Sequence, residues 1–288
     1  MESDYVIVDS GANLANKKFQ RDLDQVLDRA QNSGVKKLVV LSSSERSARD
    51  ALRLTRLYPG SLFCASGIHP LETQSWRDET KATFEELLPK AECVAIGACG
   101  LDLTKLEVSS LKQQISCLEA QLELAKKYAK PVVVFEKAGA SELIPILKAY
   151  AELQVIVHGF AGSADQAKEY LDRGYFLSIT GALWKQKEDF YDLIRDPSVQ
   201  DKLLLASDAP FLFPNAKSKL KKSQEDDKTE MFSEASESLV RRYCSFQRNE
   251  PCSLGLTCEL LAGILDQSPH DIAMKTTYNA LKAFKLQF

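Results

Sequence analysis

The sequence predicts one α/β domain across residues 1–288, a TIM-type (β/α)8 barrel. Three observations carry that expectation. Eight short apolar runs recur along the chain, and segments of helical period fill the intervals between them. Neither a G-x-G-x-x-G turn nor a P-loop is present to favour the competing architecture, a doubly wound open sheet. At 288 residues with 44% hydrophobic content, the chain is large enough to fill such a barrel.

The runs fall at residues 5–8, 38–41, 62–68, 93–96, 132–135, 155–157, 175–179 and 203–206. They are rich in Val, Ile, Leu and Phe and do not alternate cleanly with polar residues, as expected of strands buried on both faces of a parallel sheet. Leu23, Val26, Leu27 and Ala30 keep a 3.6-residue period, with Gly34 placed to end that helix. Leu111, Ile115, Leu118, Leu122 and Ala125 repeat the pattern before Pro131 returns the chain to a strand. Near the end, Ser268 and Pro269 form a cap and first turn for a helix carrying Ile272, Ala273, Ala280 and Leu281.

One stretch breaks this rhythm. Residues 214–236 follow the eighth run and are expected to form a long charged loop on the face where barrel chemistry sits. Lys217, Lys219, Lys221 and Lys222 precede Glu225, Asp226 and Asp227 within it. A solvated loop is the default reading of such a segment, and a phosphate-contacting patch is the other.

Composition narrows the function classes. A formal net charge of -3 argues against a general polyanion binder, and 27% charged residues describe an ordinary surface. The seven cysteines form no CxxC pair and no signal sequence precedes them, which suits free thiols in a reducing compartment. No apolar run approaches the ~20 residues of a membrane span. The expected location is the cytoplasm or nucleus, with no membrane partner.

In barrels of this kind the reactive groups stand at the carboxyl ends of the strands. Asp9 and Asn13 would follow the first strand, His69 the third and Asp102 the fourth. Phe135 would close the fifth, His158 the sixth and Asp208 the eighth. Asp208 ends a buried run just before Ala209-Pro210, and an unpaired carboxylate there would be costly, so it is expected to have a partner or a chemical task. Two of the three histidines and two aspartates on one rim point to a metal-dependent hydrolase site.

The segments around these residues resemble the signatures of TatD-type deoxyribonucleases. They are Val8-Asp9-Ser10-Gly11-Ala12-Asn13-Leu14, Gly67-Ile68-His69-Pro70, Ala95-Ile96-Gly97-Ala98-Cys99-Gly100-Leu101-Asp102 and Val157-His158-Gly159-Phe160. Ser207-Asp208-Ala209-Pro210, Arg248-Asn249-Glu250-Pro251-Cys252 and Asn279-Ala280-Leu281 follow in the family's order. The Arg248–Cys252 run is most similar to the eukaryotic branch. The resemblance implies hydrolysis of DNA phosphodiester bonds, including 3′-to-5′ trimming, by two divalent ions at the barrel mouth. It also implies that His158 and Asp208 are metal ligands, that Asp208 and His69 serve catalysis, and that His69, Arg248 and Asn249 face the substrate.

Four of the family's ligand positions carry other residues here. The paired histidines of strand one fall on Gly11 and Asn13, the bridging glutamate on Ala98, and the strand-five histidine on Phe135. Two doubly charged ions ~4 Å apart repel by roughly 16 kcal/mol at an effective dielectric of 20. Alanine has no charge to offset that. The expected cofactor is therefore at most one divalent ion (Mg, Mn or Zn), weakly held, or none, since Mg²⁺ tolerates a mostly hydrated shell. The competing expectation is that His158 and Asp208 simply hydrogen-bond each other.

Other chemistries have less support. Cys99 beside His69 or His158 suggests a thiol nucleophile, but a buried inert thiol is the default. Ser207 lacks a G-x-S-x-G elbow. Asp9 and Asp102 are expected to accept hydrogen bonds at strand ends, and Arg248, Asn249 and Glu250 to brace the rim. Trp184, Phe160 and Phe211 are candidate base-stacking aromatics, and Arg241 and Arg242 candidate phosphate contacts, with rim packing and solvated faces as the alternatives. Two functions stay open: a TatD-type deoxyribonuclease of weak or lost activity, or a non-catalytic barrel, a pseudoenzyme binding DNA or a protein partner.

Overall fold

The computed structural model describes residues 5–214 and 232–287. Eight strands form one parallel sheet in sequential order: β1 (Ile7–Ala12), β2 (Val35–Leu41), β3 (Leu62–Ser66), β4 (Cys93–Asp102), β5 (Val132–Lys137), β6 (Val155–His158), β7 (Phe176–Ile179) and β8 (Leu203–Leu205). The seam between last and first strands is closed beyond β8, where Asp208 N donates to Gly11 O (2.9 Å) and Asn13 N to Ala209 O (2.7 Å). Ser10 Oγ adds a bond to Leu205 O at 2.8 Å. The expected (β/α)8 barrel is the observed fold.

Helices alternate with the strands as α1 (Leu23–Asn32), α2 (Glu45–Leu57), α3 (Asp78–Leu87), α4 (Leu111–Tyr128), α5 (Ala140–Lys148), α6 (Ala164–Leu171), α7 (Glu188–Ile194) and α8 (Pro197–Gln200). Among the described residues, three more follow β8: α9 (Glu234–Tyr243), α10 (Leu254–Leu265) and α11 (Pro269–Phe284). The helix ends follow the local chemistry. Gly34, at φ +93°, takes the left-handed conformation just past α1. Ser110 and Gln113 form a reciprocal cap on α4, and Ser268 caps α11 with Pro269 in its first turn.

Strand periodicity sorts the core into two layers. Val39, Leu41, Val133, Ile156 and Leu204 point into the barrel, while alternate residues such as Leu38, Val40, Val132 and Val134 pack outward beneath the helices. The amino-terminal end of the barrel is filled by Ala280, Ala283 and Phe284 of α11. Thr277 Oγ1 there accepts from Val8 N (3.1 Å) and donates to Val6 O (2.8 Å). Asn279 Nδ2 donates to Gln200 O (2.8 Å) and Leu203 O (2.9 Å). The last helix therefore clamps the starts of β1 and β8, leaving the opposite end open.

Several boundaries differ from expectation. β1 begins at Ile7, not at residue 5, and runs on through the small residues Ser10 and Gly11. β4 continues past residue 96 to Asp102, although Gly97, Ala98 and Gly100 interrupt its apolar run. β3 stops at Ser66, so His69 stands in the following turn, and Asp208 lies three residues beyond β8. The expected loop at 214–236 ends earlier than its composition suggested: Ser233 caps α9, whose Ser236 side chain is buried against Glu259. Residues 215–231, with Lys217, Lys219, Lys221, Lys222, Glu225, Asp226 and Asp227, lie outside the described residues.

Candidate active site

The carboxyl ends of the strands surround a cavity of about 510 Å³. Asn13, His69, Ala98, Asp102, Phe135, His158 and Asp208 all reach it. Strand parity explains much of this. Ile156 fills the barrel, so His158, two residues on, points the same way at the mouth, and Val133 does the same for Phe135. Phe135 and His158 are register partners on neighbouring strands.

His158 is 4% exposed, and its Nε2 pairs with Asp208 Oδ1 at 3.0 Å. Its Nδ1 is buried with no partner among the described residues. The ring lies against β1: a Cβ on Gly11 would fall 2.6 Å from His158 Cε1 and 2.7 Å from Leu41 Cδ1. Asp208 holds a left-handed conformation (φ +49°), fixed by its bond to Gly11 and by Phe211 N donating to Asp208 O at 2.7 Å.

His69 caps the turn Pro70–Ser75, its Nδ1 accepting from Leu71 N at 3.3 Å. Its ring packs against Phe135, with centroids 4.7 Å apart and planes tilted by 51°. Burial lowers its pKa to about 4, against the opposing pull of Asp102 and Asp208, so the imidazole is neutral at pH 7.

The two acidic strand-end residues serve the backbone. Asp9 is fully buried and accepts from Gly11 N (3.1 Å), Ser207 N (3.0 Å) and Ser207 Oγ (2.6 Å). Burial nevertheless raises its pKa to about 6. Asp102 accepts from Thr104 N (2.9 Å) and Thr104 Oγ1 (2.5 Å). Cys99 is fully buried, burial pushes its thiol far up, and its Sγ contacts Val133 O at 3.7 Å.

Arg248 and Asn249 are not brought to the cavity. Arg248 grips Asp22 through two bonds (2.7 and 2.8 Å) and also reaches Glu250. Glu250 is completely buried and takes a second, forked pair from Arg29 at 2.8 and 3.0 Å. Asn249 Nδ2 donates to Ser207 O at 3.0 Å, holding the segment that ends in Asp208. Of the aromatic candidates, Phe160 is buried against Phe190 and Trp184 is half-buried, whereas Phe211 is 48% exposed at the mouth. Arg241 pairs with Glu237, and Arg242 lies over Tyr243.

Sequence reasoning missed Lys137 and Ser43, which also line the cavity. Lys137 was within reach, since it continues the inward series of Val133 and Phe135. Ser43 carries no such signal, as it follows the end of β2.

The donor set does not fit a paired-ion centre. Among the described residues no three His, Cys, Asp or Glu side chains are grouped to hold an ion. His158 and Asp208 face each other, while Gly11, Ala98 and Phe135 contribute no ligand atom and Phe135 places an apolar ring on His69.

Histidines and carboxylates gathered at the carboxyl ends of eight parallel strands define a (β/α)8 barrel with its candidate site at the mouth. The chain belongs to the TatD related DNase family, whose profile matches residues 8–285. It is 29% identical over 281 residues to the 3'-5' ssDNA/RNA exonuclease TatD of Erwinia billingiae, covering 96% of this chain and 98% of that protein. The TatD exonuclease of Musicola paradisiaca is 31% identical over 209 residues, covering 72% of this chain and 79% of that protein. A TatD homologue from Escherichia coli superposes with a TM-score of 0.81 at 25% identity, over 98% of both chains. A TatD family hydrolase from Entamoeba histolytica gives 0.81 at 21% identity, over 98% of this chain and 99% of that one, a likeness of fold.

Proposed function

We propose that this chain is a TatD-type barrel whose ion-binding set has been dismantled. Hydrolysis of DNA phosphodiester bonds is then weak or lost, and the mouth persists as a binding surface for single-stranded nucleic acid. In this reading Gly11, Asn13, Ala98 and Phe135 stand at former ligand positions, of which His158 and Asp208 are the remnant. The Arg248–Cys252 run, most similar to the eukaryotic branch, braces the rim. Among the described residues no helix is long and apolar enough to cross a membrane.

One observation carries the proposal. The volume beside Gly11 is filled by the His158 ring and Leu41, and His158 Nε2 is engaged by Asp208. The space beside Gly11 is taken, so an ion at the mouth would find His158, Asp208 and the unpartnered Asn13 Oδ1 as donors, with no shared carboxylate to bridge a second ion. Without a shared carboxylate, two ions cannot be held on both the attacking and leaving oxygens of a phosphoryl centre. What remains suits binding. Lys137 and Phe211 at the mouth, with Lys18 Nζ 5.9 Å from the Phe211 ring, offer cationic and stacking contacts of the kind single strands use.

The test separates binding from turnover. A fluorescent oligonucleotide should bind with a chelator present and stay intact after prolonged incubation with Mn²⁺. Absence of binding would remove the second half of the proposal, and rapid shortening of the strand the first.

A further inference from the structure

The Sγ atoms of Cys244 and Cys252 lie 3.7 Å apart. Cys244 directly follows α9 and is half-buried, within reach of a small co-reactant. Cys252 is fully buried in the turn Pro251–Ser253. Two bonds within the loop and one to a distant segment fix the backbone between them. Ser245 N donates to Arg248 O (2.9 Å), Arg248 N to Ser245 O (3.1 Å) and Asn249 N to Pro210 O (3.1 Å). Cys64 and Cys93 form a second close pair, as register partners on β3 and β4, but both are fully buried beneath the helices.

We propose that Cys244 and Cys252 form a thiol–disulfide site that takes a low-molecular-weight disulfide such as oxidised glutathione as co-reactant. The oxidised form covalently closes residues 244–252, the loop that carries Arg248 and Asn249. The Cys244 thiolate attacks one glutathione sulfur, forming a mixed disulfide and releasing one glutathione thiolate. Cys252 then attacks the Cys244 sulfur. The second glutathione leaves as a thiolate and takes up the proton that Cys252 gives up. Two protein thiols are oxidised to one disulfide, and one glutathione disulfide is reduced to two thiols. The sulfurs need to close to about 2.05 Å, a movement that rotation of the half-exposed Cys244 side chain supplies. Cys244 is the attacking residue on access, and Cys252 is disfavoured for that step because the Cys244 contact and then burial push its thiol up.

The site is tested on the full chain equilibrated in glutathione buffers of rising oxidised fraction, then acid-quenched, alkylated and digested with trypsin. Cleavage after Arg242 and Arg248 places Cys244 in residues 243–248 and Cys252 in residues 249–275, so the bond appears as a linked pair of peptides. The expected result is linkage at a buffer ratio at least tenfold less oxidising than any other cysteine requires. Cys258 shares the longer peptide, so Cys258→Ser must keep the linkage. Cys252→Ser must abolish it and leave glutathione on Cys244. Linkage of residues 243–248 to any other cysteine would overturn the proposal. So would persistent glutathione on wild-type Cys244, or a full thiol count in the most oxidising buffer.

Discussion

The imidazole of His158 occupies the space that a side chain on Gly11 would need: a Cβ there falls 2.6 Å from Cε1 and 2.9 Å from Nδ1. Leu41 Cδ1 closes the same volume from the next strand at 2.7 Å. Asp208 holds the ring from the other side, so the imidazole cannot yield without losing its hydrogen bond.

Gly11→Ala is therefore expected to cost about 1–3 kcal/mol, the usual range for overpacking a filled interior. Urea unfolding with an unchanged slope would measure it. A cost near zero would mean that the ring moves freely, against the packing described.

Two buried groups should give opposing pH dependences. The pKa of Asp9 is raised to about 6, above its unfolded value near 4, so the folded chain binds more protons between those values. Its contribution to stability is fully present below pH 4 and lost as pH rises through 6, on the order of 3 kcal/mol for a two-unit shift. The pKa of His69 is depressed to about 4, so its contribution is present above pH 6.5 and lost as pH falls toward 4. The two slopes offset each other in the wild type. His69→Gln should expose a decline in stability from pH 4 to 6, and Asp9→Asn a rise; denaturant midpoints across that range would show either.

The Arg248-Asn249-Glu250 run should act on stability. Glu250 is completely buried between Arg29 and Arg248, so losing Arg29 removes two charge-assisted hydrogen bonds and leaves Arg248 as its partner. Arg29→Met is expected to cost about 1.5–3 kcal/mol while leaving oligonucleotide affinity unchanged in the folded protein. Lost affinity at unchanged stability would make this run part of the binding surface.

The barrel was legible because strands buried on both faces leave an apolar run that few other structures produce. Its limits were harder to read. Ser10, Gly11, Gly97, Ala98 and Gly100 broke the apolar pattern yet remain in strands, because small residues are tolerated where the barrel wall packs tightly. Spacing along the chain placed His158 and Asp208 on one rim. It also offered a hydrogen bond between them, which the structure shows at 3.0 Å, but not that His158 leans over Gly11, since side-chain direction across strands is set by packing. For Arg248 the residues suggested a brace of the rim and the family resemblance a substrate contact; the fold commits it to Asp22 and Glu250.

Restoring charge at the mouth should restore ion binding. Ala98→Glu with Phe135→His adds a carboxylate and a nitrogen beside His158 and removes the ring packed on His69. Affinity for Mn²⁺ is expected to rise at least tenfold, about 1.4 kcal/mol, by calorimetry. No gain would place the family's ion site elsewhere in the mouth.

The most direct measurement is hydrolysis of an end-labelled single strand with Mg²⁺ or Mn²⁺, comparing the wild type with Asp208→Asn. On the proposed reading the carboxylate is a remnant of the ion site, and both should stay at the same low level. Robust wild-type turnover that the substitution abolishes would contradict the claim that the site has been dismantled.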